Sequence, residues 1–139
     1  MDGEMREEAR IEIPKKLRRT VGKMARQGEE PLLIVPALVE RLCNQRMLAM
    51  ARIGMGEARI FSWLVVTEKH LHVVWPGLVW DKVQTVPIEE ILDIEYVKEF
   101  HNNSLKLVLG KGAESIVFYD DAEGIRFYQF IKYKRWKDR

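Results

Sequence analysis

The 139 residues suit a single domain with a proper core, and a hydrophobic fraction of 47% beside 32% charged residues excludes a disordered chain. The net charge of +2 is too small to point to nucleic acid by itself, and the single cysteine, Cys43, excludes an intrachain disulfide and a cysteine-built metal cage. No stretch approaches the run of about eighteen apolar residues that a membrane span needs, and the opening MDGEMREEAR is acidic where a signal peptide is basic and then apolar, so a reducing cytoplasm is the expected compartment.

Residues 1–13 read as a frayed acidic leader, with Asp2, Glu4, Glu7, Glu8 and Glu12 against Arg6 and Arg10. Pro14 suits the first position of a helix, where its missing N–H costs nothing. The run that follows places Leu17, Val21 and Met24 at i, i+4 and i+7 and carries Lys15, Lys16, Arg18, Arg19, Lys23 and Arg26 without an acid. That pattern predicts a short basic amphipathic helix over 14–27, stopped by Gly28. Residues 31–43 support two readings. Leu32 to Val35 is a continuous apolar run suited to a buried strand, with Pro36 marking a bulge or an edge. Alternatively a helix begins at Pro36 and runs through ALVERLCNQRMLAMA, rich in helix formers. Residues 44–57 form a long loop or a hairpin closing on Gly54-Met55-Gly56, so 36–51 stay open between strand, loop and helix.

From Ala58 onward strands dominate. Trp63 to Val66 and Leu71 to Trp75 flank the polar break Thr67-Glu68-Lys69-His70, a hairpin, and Pro76-Gly77 closes the second strand. Val83 to Pro87 is a short strand. Leu92, Ile94 and Tyr96 alternate with Asp93, Glu95 and Val97, which predicts a half-buried strand with the first set inward. His101 to Ser104 is a turn cluster. Leu105, Leu107 and Leu109 form the next inward face, Gly110-Lys111-Gly112 turns the chain, and Ile116 and Phe118 follow. Asp120 or Asp121 can cap a last helix whose buried face is Phe127, Phe130 and Ile131, with Tyr128 beside them. The predicted fold is mainly β (α+β): about seven antiparallel strands in a curled barrel, capped by a C-terminal helix, with an extra N-terminal amphipathic helix.

Little of this pattern carries chemistry. His70 and His72, two apart on a strand, share a face as a metal pair would, but a zinc site needs at least three protein ligands. The expectation is two solvent-facing residues opposite Leu71 and Val73, and no metal. Asp93 and Glu95 read as the outer face of an amphipathic strand, and Cys43 as a partly buried thiol. No Gly-rich phosphate loop, nucleophile elbow or Cys–His arrangement is present, so neither an enzyme, nor a cofactor, nor a small-molecule substrate is expected. The basic helix either lies on an anionic surface or docks on the sheet by its narrow stripe with its cations solvated. The Met-rich segment Met47, Leu48, Met50, Ile53 and Met55 is either an adaptable contact surface or core. Trp80, on the exit of the Pro76–Val79 loop, is the better interface candidate among the tryptophans.

Several local features resemble a known family. LVVTEKHLHVV resembles a hairpin of three hydrophobic residues, Thr, an acid and a base. VPIEEILDIEY resembles a strand opening of the Pro-x-x-x-Ile kind, and GEEPLLIV resembles a Gly-Glu lead into the first strand. Together with the terminal aromatic helix, these are similar to the bacterial pleckstrin-homology-like (PH-like) proteins of the YokE type, over about residues 28–136. The resemblance implies a PH-like domain over 28–139 that acts as a binding or interaction module without a cofactor. Phosphoinositide-binding relatives use a basic motif around the first two strands. Arg41, Arg46, Arg52 and Arg59 fall there, but lack the tight Lys/Arg-x-Arg spacing, so inositol-phosphate binding is not carried over. The expected function is a non-catalytic cytoplasmic module that docks a protein partner or self-associates through an apolar surface. The alternative is peripheral binding of anionic lipids through Lys15, Lys16, Arg18, Arg19, Lys23, Arg26 and the four first-strand arginines. Nucleic acid is an unfavoured partner, because the bases lack the aromatic platform of single-strand binders.

Overall fold

In the computed structural model, which describes residues 11–40, 60–99 and 102–136, seven antiparallel strands form one sheet. They are β1 (Leu33–Val39), β2 (Trp63–Val66), β3 (His70–Trp75), β4 (Lys82–Pro87), β5 (Ile91–Glu99), β6 (Asn102–Leu109) and β7 (Gly112–Phe118). Their order is β4-β3-β2-β1-β7-β6-β5, so β4 and β5 are the edges and the sheet is curled but not closed. A 3-10 turn (Lys15–Leu17) leads into helix α1 (Arg18–Arg26), and helix α2 (Asp121–Trp136) follows the last strand.

The strand alternative at 31–43 holds for the described part. β1 runs straight through Pro36 and changes partner there. Leu33 to Pro36 pair with β2, and Ala37 to Val39 pair with β7. A residue that donates no ladder hydrogen bond suits the point where one strand passes between neighbours.

The alternating positions sort the side chains into two layers. Leu33, Val35, Ala37, Leu64, Val66, Leu71, Val73, Leu105, Leu107, Ile116 and Phe118 face the concave side, where Phe127 and Ile131 of α2 plug the core. Asp120 caps that helix, its carboxylate accepting from the Ala122 N–H at 2.9 Å. Gly124 is needed for the fit: a Cβ there would come within 2.9 Å of the Phe118 ring and 3.1 Å of Tyr96. The Tyr96 hydroxyl donates to Asp121, and Arg135 donates to the carbonyls of Ile91 (2.9 Å) and Glu89 (3.2 Å). Lys134 reaches Glu68 at the β2–β3 turn at 3.1 Å, so α2 spans both halves of the sheet.

One inward assignment fails. Leu92 is 59% exposed, while Ile91 and Ile94 are buried. The ladder to β6 shifts register between Ile91 and Asp93. An irregularity of that kind flips the alternation, so a strict period of two puts the wrong residue inside.

Candidate functional site

The convex layer is where structure adds most to sequence. Leu17, Val21 and Met24 are buried against Val65 and Val74, with Ile34 and Trp63 beside them. The amphipathic stripe is therefore occupied by the sheet. Lys15, Lys16, Arg18, Lys23 and Arg26 remain exposed. Helix α1 presents outward only cations, without an apolar face.

Arg19 is exposed as well, but its side chain is tied to the sheet side of the helix. Its guanidinium meets Asp81 at 2.9 Å, and the Thr20 hydroxyl donates to the other oxygen of the same carboxylate. The Gly77 N–H donates to Asp81 as well, at 3.0 Å. Gly77 has no room for a side chain, since a Cβ would lie 2.2 Å from the Trp80 carbonyl oxygen. Asp81 thus ties α1 to the base of a tight loop, and Leu78, Val79 and Trp80 project from it at 103%, 72% and 77% exposure. Three consecutive apolar side chains stand out on an anchored base, beside the edge strand β4. Among the described strands β4 pairs only with β3.

Burial works to raise the pKa of Asp81, but the bonds from Thr20, Gly77 and Arg19 outweigh it and hold the group below its ordinary value. A carboxylate depressed in the folded state stabilises above its unfolded pKa and loses that contribution as pH falls through the folded value. Acidification below about pH 4 is therefore expected to loosen α1 and the 77–81 loop, read as faster amide exchange in both segments. Asp81→Asn is expected to remove that acid step and to cost about 1–2 kcal/mol at neutral pH.

The histidine pair departs from expectation. His70 and His72 do lie on the face opposite Leu71 and Val73, but that face is covered, and His72 is only 4% exposed. Gly28, at φ +88°, ends the α1 segment in a left-handed turn. The next residue, Glu29, lies over the pair. One oxygen of Glu29 accepts from Thr67 Oγ1 (2.8 Å) and His70 Nδ1 (2.7 Å), and lies 3.2 Å from His72 Nε2. The other ring nitrogen of His72 meets Thr85 Oγ1, its cross-strand partner on β4, at 2.8 Å. Burial lowers the His72 pKa against the opposing pull of Glu29, so the ring is neutral near pH 7. Burial would raise Glu29, but the bonds from Thr67, His70 and His72 prevail and keep it ionised. The donor atoms of Glu29, His70 and His72 all lie within 4.8 Å of one another. A residue pattern confined to β3 misses this group, because its carboxylate comes from the connection between α1 and β1.

Arg41, Cys43, Arg46, Met47, Leu48, Met50, Arg52, Ile53, Met55 and Arg59 fall outside the described residues, and so does His101. A cleft of about 940 Å³ has Glu12, Lys15, Lys16, Trp63, Asp120 and Glu123 among its lining residues. Its lining carries charges of both signs. Among the described residues, no helix is long and apolar enough to cross a membrane.

Comparison with solved structures identifies the architecture. A DUF1696 family protein with a pleckstrin-homology domain from Shewanella loihica PV-4 aligns with a TM-score of 0.54 at 19% identity, covering 89% of this chain and 99% of that one. A pleckstrin homology domain from Shewanella amazonensis SB2B aligns with a TM-score of 0.51 at 17% identity, covering 87% and 96%. No family model and no curated protein matches the sequence. At these identities the likeness concerns the fold, which is PH-like, as the sequence features imply.

Proposed function

We propose that this PH-like domain is a non-catalytic interaction module that self-associates through the β4 edge and the Leu78–Trp80 tip. The observation that carries this reading is the anchored apolar tip beside a strand edge that no other described strand covers. An exposed edge strand accepts another strand through main-chain hydrogen bonds, while neighbouring side chains set specificity. β4 suits pairing with its own copy. Lys82 is its only charged residue and Pro87 lies at its other end, so a two-fold antiparallel pair keeps the two lysines apart. Val83 is 40% exposed and adds apolar contact, and Leu78 and Trp80 would flank the pair.

Light scattering across a concentration series tests this. The wild type is expected to pass from monomer to dimer, and Leu78→Asp/Trp80→Asp to stay monomeric with an unchanged circular dichroism spectrum. A wild type that remains monomeric at every concentration overturns self-association. One observation favours membrane lipid as the other occupant: the Arg19–Asp81 contact sets the cationic helix beside the apolar tip. Each surface cation contributes about 1 kcal/mol near anionic lipid, and salt screens that attraction. A monomer that sediments with anionic but not neutral vesicles, releases them at high salt and fails to bind as Lys15→Glu/Arg18→Glu would move the assignment to a membrane surface.

A further inference from the structure

We infer that Glu29, His70 and His72 form a binding site for a borderline divalent transition metal of the Zn²⁺ class, built from two imidazoles and one carboxylate with a remaining position open to solvent. Two imidazoles and a carboxylate suit zinc and its neighbours, and three protein ligands leave a fourth position for water. Calcium and magnesium prefer all-oxygen sets, which this group does not offer.

The geometry fits such an ion. Donors sharing a tetrahedral zinc at about 2.1 Å lie about 3.4 Å apart. Here the Glu29 oxygen stands 2.7 Å from His70 Nδ1 and 3.2 Å from His72 Nε2. Small side-chain rotations open those separations to the required value without moving the strand. The supporting shell is also in place. A metal-bound imidazole usually donates its other N–H to a fixed acceptor, which sets its orientation. The Thr85 hydroxyl at 2.8 Å from His72 Nδ1 can rotate to accept that proton, leaving Nε2 for the ion. The Thr67 hydroxyl donates to the Glu29 carboxylate and so holds it in place. Access comes from the side of His70 and Glu29, whose side chains are 33% and 27% exposed.

The ion would cross-link two parts of the fold. Glu29 follows α1 by three residues, and both histidines lie on β3. Occupancy would therefore fasten the N-terminal helix to the sheet face it covers, independently of the Asp81 contact at its other side.

The test uses the full chain freed of metal with a chelator. Co²⁺ is titrated by its visible absorption, Zn²⁺ by competition with Co²⁺, and the melting temperature is followed with and without Zn²⁺. One equivalent of Co²⁺ is expected to bind, and Zn²⁺ to displace it and raise the melting temperature. His70→Ala is chosen over a change at buried His72, which would endanger folding. His70→Ala and Glu29→Gln, each folded by circular dichroism, are expected to lose that binding. Thr85→Val is expected to weaken it about tenfold. His101→Ala and Cys43→Ser are expected to bind as the wild type does. The inference is overturned if the folded wild type shows no saturable one-to-one binding. It is equally overturned if His70→Ala and Glu29→Gln both keep binding, or if His101→Ala or Cys43→Ser abolishes it.

Discussion

Phe127→Ala is expected to lower the unfolding free energy by about 3–5 kcal/mol and the melting midpoint by roughly 10–20 °C, measured by urea and thermal denaturation. Phe127 is fully buried on α2, with its ring 5.7 Å from that of Phe118. It sits in the concave core among residues of both halves of the sheet. Truncation removes the transfer free energy of the ring and leaves a cavity that strands fixed by their ladders cannot collapse to fill. Because α2 also holds Glu68, Ile91 and Tyr96 through side-chain bonds, the loss should appear in one cooperative transition. Two separated transitions would show that the helix is dispensable to one half of the sheet.

Val21→Asp tests the other layer. Val21 is 1% exposed between α1 and the convex face. A carboxylate there has no partner, and burying it would cost several kcal/mol. The helix leaves instead, so the penalty is limited to what docking contributes, about 3 kcal/mol at the upper end of ordinary single substitutions. Three signs should accompany it: red-shifted emission from Trp63, which packs against that cluster, new tryptic cleavage between Lys15 and Arg26, and an intact concave core. Unchanged proteolysis would mean that the stripe of Leu17, Val21 and Met24 holds nothing in place. The same variant separates two ideas about the basic helix. Lipid insertion through that stripe requires undocking first, whereas electrostatic attachment through the exposed cations does not.

Much of the architecture was legible because its signals are local. The hairpin from Trp63 to Trp75, the alternation of Leu105 and Leu107, and the capped aromatic helix each depend on neighbours within a few residues. So does the α1 stripe with its Gly28 stop. What escaped depends on contacts distant in sequence. The shift between Ile91 and Asp93 arises from pairing with β6, and no periodicity of β5 alone reveals it. His72 carries the polarity of an exposed residue, but it is buried with Glu29 and Thr85 as partners, both distant in sequence. In sequence Glu29 reads as the lead into a strand rather than as a ligand, because its neighbours at Thr67, His70 and His72 lie about forty positions away. Trp80 could be placed from sequence, since it adjoins a turn and an acid. Its setting, with Asp81 tied to Arg19 and Thr20, could not.

The change of partner at Pro36 bears on how the chain assembles. The β2-β3-β4 and β5-β6-β7 meanders are each built from neighbouring hairpins, whose loops are short and close quickly. β1 must join them, and its second half finds β7 only across most of the chain. Joining such distant segments is the slow, high-contact-order event. Commitment to the native topology therefore falls on the seven residues Leu33–Val39.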